Sequence, residues 1–158
     1  MHKALAVFVS GLSLATLCTA PNAQDLPKSG SINIHTGWKL AGEQVDVAQK
    51  LVQGHGSVVG ASFNDKGSGP LHGGPATCFY TFFATESGTK NKGYCAFGDA
   101  DGDRIFTDWS GTGDEGINQI AGGTGKYAGI KGSGPWKCKT AGPNGQYPCT
   151  QQFNYQLP

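Results

Sequence analysis

Several features that mark common functional classes are missing from this sequence. The formal net charge is only +1 and no run of basic residues occurs, which argues against nucleic acid as a partner. No second long apolar run follows the one at the N-terminus, so no membrane span is predicted after it. No Cys-x-x-Cys pair is present, and a zinc site would therefore lack its usual ligand spacing.

The N-terminus has the pattern of a secretory signal peptide. Lys3 precedes an apolar run over residues 4–17 that is too short to span a bilayer with stable flanks. We predict cleavage after Ala23 rather than after Ala20. A lipid anchor at Cys18 is disfavoured because Leu17 is bulky where a small residue should stand. Residues 1–23 are thus predicted to be the signal and residues 24–158 a single domain, secreted or periplasmic.

Four cysteines follow the predicted leader, and an even number in an exported chain predicts two disulfides. Four cysteines allow three pairings. The turn-forming residues 141–145 lie between Cys138 and Cys149 and favour that pair, which leaves Cys78 to pair with Cys95.

The 26 glycines and the clustered aromatic residues predict many short strands joined by tight turns. Residues 41–53 fit either a strand with a bulge or a short helix, residues 65–76 a long loop, and residues 85–92 a polar connection. The predicted strands cover residues 31–40, 55–64, 77–84, 94–98, 104–110, 116–121, 130–139 and 146–156. About eight strands at regular spacing predict an all-β fold, either a closed antiparallel barrel or a sandwich.

Residues 122–134 read GGTGKYAGIKGSG and superficially resemble a nucleotide-binding loop. A P-loop would need glycine where Ile120 stands and a hydroxyl where Tyr127 stands, and no helix follows to bind phosphate. The segment instead predicts a tight glycine turn that tucks Tyr127 against the body of the protein, between two strands.

In that form the segment resembles one found late in the allene oxide cyclase and dirigent β-barrels, and small secreted bacterial chains of uncharacterised function carry a similar one. The resemblance covers the later part of the chain. It implies a closed barrel of about eight strands, an apolar cavity and no cofactor. One branch of the superfamily steers cyclisation of an unstable epoxide, and another steers coupling of radical intermediates. The shared segment is structural, so the resemblance implies no catalytic residue.

Alternating carboxylates at Asp99, Asp101 and Asp103 are a weak candidate for a calcium site, since such spacing gathers oxygen ligands. The EF-hand pattern fails, however, because Arg104 stands where glycine is needed and Ser110 replaces the bidentate glutamate. A β-turn with Gly102 at positive φ is the favoured interpretation.

Large aromatic residues at strand positions form the core of a packed barrel or the wall of a ligand cavity. The candidates for ligand contact are Trp38, Tyr80, Phe82, Trp109 and Trp136. The leading hypothesis is that the protein binds a small apolar or amphipathic molecule inside the barrel without catalysis. The sequence leaves the oligomeric state open.

Two alternatives stay open. The first is a cofactor-free enzyme of the cyclase or dirigent kind, for which Glu43, Glu86 and Tyr80 are catalytic candidates. The second is a packed structural or envelope-interaction domain without a ligand.

Overall fold

Eight antiparallel strands form a closed barrel in the computed structural model, which describes residues 26–139, 142 and 144–158. The predicted signal peptide and its cleavage site lie outside the described residues. The strands are β1 Ser29–Ala48, β2 Leu51–Asn64, β3 Gly73–Thr85, β4 Gly88–Asp99, β5 Arg104–Thr112, β6 Glu115–Gly123, β7 Lys131–Cys138 and β8 Gln146–Gln156. Each strand pairs with the next, and β8 pairs with β1. The all-β barrel prediction is confirmed, and the sandwich alternative is wrong.

Side chains alternate between the interior and the solvent along each strand, as the period of two requires. In β1 the buried residues are every second one from Ile32 to Trp38. Phe97 and Phe153 are almost completely buried in the interior, where they meet edge to face with ring centroids 5.2 Å apart. In the described part of the chain, no helix is long and apolar enough to cross a membrane.

Three segments differ from or refine the sequence prediction. β1 continues to Ala48 with a register shift between Asp46 and Ala48, a turn follows at residues 49–50, and β2 begins at Leu51. The short helix is therefore wrong, and the strand with a bulge is correct only for the first part of residues 41–53. The loop after β2 is shorter than predicted because β3 already begins at Gly73.

The polar connection predicted over residues 85–92 is also wrong, because β4 begins at Gly88. Residues Thr89 and Asn91 belong to this strand and line the barrel interior. An inner face made of small polar residues gives no apolar alternation, and the strand therefore escapes recognition from sequence.

Both disulfides join residues that lie directly opposite each other on neighbouring strands. Cys78 bonds to Cys95 across β3 and β4, and Cys138 bonds to Cys149 across β7 and β8. The favoured pairing is thereby confirmed. Closing loops of this length in the unfolded chain stabilises the fold by about 3 kcal/mol each in the chain-entropy account.

One end of the barrel, here called the base, is closed by residues 65–72, 100–103 and 124–130. Tyr127 fills its centre and is completely buried. Its hydroxyl donates to Asp99 Oδ2 at 2.5 Å and accepts from the Leu71 amide at 3.2 Å. Burial, reinforced by Asp99, raises the pKa of Tyr127, so the phenol stays protonated and keeps donating.

The glycine-rich segment before β7 is therefore the plug of the base. Gly125 has φ of +52°, and a Cβ there would lie 1.8 Å from Asp103 Oδ1, so only glycine fits. The short 3₁₀ turn Gly125–Tyr127 points Tyr127 inward, as the sequence predicted. Gly123 leaves room for Tyr127, because a Cβ at Gly123 would lie 2.5 Å from Tyr127 Cβ.

Replacing Tyr127 by phenylalanine tests how much the hydroxyl contributes to the base. Tyr127→Phe leaves the Leu71 amide without its acceptor and removes one of the two donors to the buried Asp99, whose other donor is Lys126. We expect the free energy of unfolding to fall by about 1–3 kcal/mol, measured by urea denaturation. Tyr94→Phe removes the same atom from a residue that is 69% exposed and should change it by less than about 0.5 kcal/mol. Equal effects of the two variants would contradict a stabilising role of the Tyr127 hydroxyl in the base.

Candidate functional site

The half of the barrel away from the base contains a cavity of about 550 Å³. It opens at the end where the turns after β1, β3 and β5 lie, here called the mouth. Both disulfides belong to its wall. All five predicted ligand-contact residues line it as well: Trp38, Tyr80, Phe82, Trp109 and Trp136. The structure brings these five together; their role in binding stays a prediction.

Each of these aromatic residues faces a glycine directly across a strand pairing. The pairs are Trp38 with Gly60, Tyr80 with Gly56, Phe82 with Gly54, Trp109 with Gly93 and Trp136 with Gly116. A Cβ at Gly54 would lie 2.2 Å from Phe82 Cε1, and one at Gly116 would lie 2.8 Å from Trp136 Cε2. The rings thus lie over bare backbone, against the wall, and the middle of the barrel stays open.

Two polar side chains of the cavity wall, Gln151 and Asn118, are paired with buried threonines. Gln151 Nε2 donates to Thr36 Oγ1 at 3.1 Å, and Thr107 Oγ1 donates to Asn118 Oδ1 at 3.3 Å. These pairs satisfy groups that would otherwise destabilise a buried interior. They also place polar atoms between the packed base and the aromatic wall.

A tyrosine–aspartate pair lies at the mouth. The Tyr147 hydroxyl donates to Asp114 Oδ1 at 2.5 Å, and both residues line the cavity. Burial and the hydrogen bond to Asp114 raise the pKa of Tyr147. The sequence analysis missed this pair, since the two residues are 33 positions apart and only the pairing of β6 with β7 and of β7 with β8 brings them together.

Two of the three catalytic candidates, Tyr80 and Glu43, line the cavity. Tyr80 is in the cavity wall, and burial raises its pKa. Glu86 lies in the turn after β3, where it forms an ion pair with Lys50 of the turn after β1. Glu43 is exposed at the rim, opposite His55 on β2. Tyr80 and Glu43 both line the cavity, Tyr80 in its wall and Glu43 at its exposed rim, whereas Glu86 does not line it.

An open groove of about 880 Å³ runs along β1 to β5 at the same end. Exposed side chains line much of it, among them Glu43, His55 and Lys92. We favour the inner cavity as the functional site because its wall is aromatic and shielded from water, whereas the groove offers solvated side chains.

The candidate calcium ligands surround a lysine. Lys126 Nζ lies 2.8 Å from Asp99 Oδ2, 2.5 Å from Asp101 Oδ2 and 3.8 Å from Asp103 Oδ2. The residues form a turn in which the Gly102 amide donates to the Asp99 carbonyl and Gly102 has φ of +96°. Within the described ranges, no group of three or more His, Cys, Asp or Glu side chains is arranged as a metal site. A cation would have to displace the ammonium group.

Comparisons with known proteins show the fold. No protein-family model matches the chain, and the search of curated proteins finds no relative. Among solved structures, the chain is similar to a pterocarpan synthase dirigent protein with a TM-score of 0.51 and 15% sequence identity. The match covers 91% of this chain and 100% of that chain. At this identity the similarity shows a dirigent-like barrel fold; the allene oxide cyclase and bacterial resemblances stay predictions.

Removing the central ammonium should destabilise the aspartate turn in a pH-dependent way. The hydrogen bond from Lys126 lowers the pKa of Asp101, helped by the backbone amide of Asp103. Asp101 therefore contributes stability above its ordinary pKa of 3.8, and this is lost as pH falls through the lower folded value. Lys126→Met should lower the free energy of unfolding by about 1–3 kcal/mol at pH 7, measured by urea denaturation.

The difference from the wild type should narrow below about pH 4, where the carboxylates become protonated. Lys131→Met, at an exposed position of β7, serves as the control and should show no such pH dependence. A constant difference between Lys126→Met and the wild type from pH 7 to pH 3 would contradict the electrostatic account.

Proposed function

We propose that the protein is exported and binds a small apolar or amphipathic molecule in the barrel cavity. The observation that carries the proposal is an aromatic cavity of about 550 Å³, which lies within the size range of small-molecule sites. A barrel filled by its own side chains would leave no such space, so the cavity weighs against a packed structural domain.

Burial of ligand surface supplies the binding energy. A ligand that buries about 400 Å² of apolar surface gains about 10 kcal/mol at about 25 cal/mol per Å². Association costs about 4 kcal/mol or more, which leaves a dissociation constant of tens of micromolar or weaker. Little ordering of the protein is needed, since strand pairings and disulfides already hold the wall in place.

Export is supported by the disulfides. Cys78, Cys95, Cys138 and Cys149 are all bonded, as is usual for proteins of oxidising compartments. We retain residues 1–23 as the proposed signal peptide and residues 24–158 as the proposed single domain. The fold similarity to a dirigent protein named as a pterocarpan synthase supports a role that involves a small molecule.

Binding is tested with the neutral fluorescent probe N-phenyl-1-naphthylamine and a matched pair of variants. Val58 lines the cavity, whereas its neighbour Val59 is 52% exposed on the outer face. Val58→Trp should fill the cavity and lower the affinity for the probe at least about tenfold, since little of the probe's apolar surface could then be buried. Val59→Trp should leave the affinity unchanged, with thermal melting as the check on folding.

Two results would contradict the proposal. The first is the absence of saturable probe binding to the exported, disulfide-bonded protein. The second is equal binding to the two variants, which would place the probe outside the barrel.

A second candidate function is cofactor-free catalysis that steers a reactive intermediate, and the Tyr147–Asp114 pair favours it. The Asp114 carboxylate, oriented by the hydrogen bond from the Tyr147 hydroxyl, is positioned to accept a proton from a molecule in the cavity. If this pair performs chemistry, the molecules extracted from the exported protein and separated by liquid chromatography should differ between the wild type and Tyr147→Phe. An identical set of extracted molecules from both would favour binding without catalysis.

A further inference from the structure

We propose that the ligand of this cavity is an uncharged, planar molecule with an acceptor oxygen, such as a ketone, held by the indole N–H groups of Trp109 and Trp136. This inference rests on the proposed function and names its ligand class. It starts from the hydrogen-bonding state of the cavity wall.

Three enclosed polar atoms of the wall have no hydrogen-bond partner. They are Trp109 Nε1, Trp136 Nε1 and Asn91 Oδ1; among the described residues only His72 Nδ1 shares this state. A buried indole N–H normally finds a partner, and leaving one unpaired costs about 1–3 kcal/mol. Two such donors in one cavity, beside polar groups that are paired, mark a place where an acceptor is missing.

The three atoms belong to one patch of the wall. The rings of Trp109 and Trp136 meet edge to face with centroids 5.4 Å apart. Trp136 and Asn91 converge on Gly111, where a Cβ would lie 2.4 Å from Trp136 Cζ2 and 3.0 Å from Asn91 Oδ1. We call Asn91, Trp109 and Trp136 the indole patch. Its two indole N–H groups can donate to an acceptor oxygen of a ligand, whereas Asn91 Oδ1 is itself an acceptor and takes no part in that bond.

The rest of the cavity limits the charge and shape of the ligand. Of the described residues that line it, Glu43 and Asp114 carry negative charge and none is lysine, arginine or histidine. A carboxylate or phosphate would therefore enter without a counter-charge, at high cost. Trp38, Leu40 and Phe82 supply apolar wall on other strands, which suits a flat hydrocarbon frame.

The chemistry thus separates three ligands of nearly equal size. A hydrocarbon gains apolar burial but leaves both indole donors unpaired. A ketone of the same frame gains the same burial and accepts their hydrogen bonds. A carboxylate accepts the bonds but loses its hydration without a compensating cation. The order of affinity should be ketone, then hydrocarbon, then carboxylate.

The test uses fluorene, 9-fluorenone and fluorene-9-carboxylate with the exported, disulfide-bonded protein. Dissociation constants are measured by quenching of tryptophan fluorescence. We expect 9-fluorenone to bind about tenfold tighter than fluorene, as one or two net hydrogen bonds imply, and the carboxylate to bind most weakly. Trp109→Phe and Trp136→Phe keep an aromatic ring but remove the donor, so each should reduce the preference for the ketone.

Trp38→Phe is the matched control, because it makes the same change in the same cavity at an indole outside the patch. It should keep the ketone preference. Because a variant could fail to fold, a second measurement uses the wild-type protein alone. The protein has three tryptophans, and two of the three indole N–H signals in a ¹H–¹⁵N spectrum should move downfield with 9-fluorenone and not with fluorene.

The outcomes separate this inference from the proposed function. Equal affinity for 9-fluorenone and fluorene, with unshifted indole signals, would overturn the inference and leave the binding function standing. Tightest binding of the carboxylate would overturn the requirement for an uncharged ligand. Failure of all three probes and of N-phenyl-1-naphthylamine to bind would overturn both.

Discussion

The contact on which this barrel depends is the close approach of an aromatic ring to the bare backbone of a glycine on a neighbouring strand. An eight-stranded barrel has an interior just wide enough to be filled by side chains. Here the large rings lie against the wall because glycines such as Gly54 and Gly116 offer no Cβ to hold them off. A glycine weakens a strand because it has no side chain to pack, and the aromatic ring that lies over it supplies packing contacts in its place.

The half of the barrel that contains the cavity has little packed core, so its stability depends on the packed half at the base. The base buries Ile34, Phe97, Ile105 and Phe153 almost completely and closes around Tyr127. Its buried polar groups are paired as well, since Asp99 is bonded to both Tyr127 and Lys126. The chain thus divides its length between a packed core and a cavity, and the disulfides strengthen the part that lacks a core.

Much of the fold was predictable because it follows from local pattern. The aromatic strand around Phe82, the disulfide across the turn before Cys149 and the tucked Tyr127 each depend on neighbours in sequence. What the sequence did not reveal depends on register between distant segments. Thr89 and Asn91 read as a loop because they face a cavity rather than a core. Lys126 is 25 residues from Asp101, and only the closed base joins them.

The placement of the disulfides bears on how the chain reaches this structure. Each bond links the two strands of a single hairpin, one across β3 and β4 and the other across β7 and β8. Correct oxidation therefore needs only a local hairpin, while any exchanged pairing would have to join distant parts of the chain against a larger loss of entropy. The pairing of β1 with β8 brings the first and last strands together, and both bonds can be in place before that seam closes.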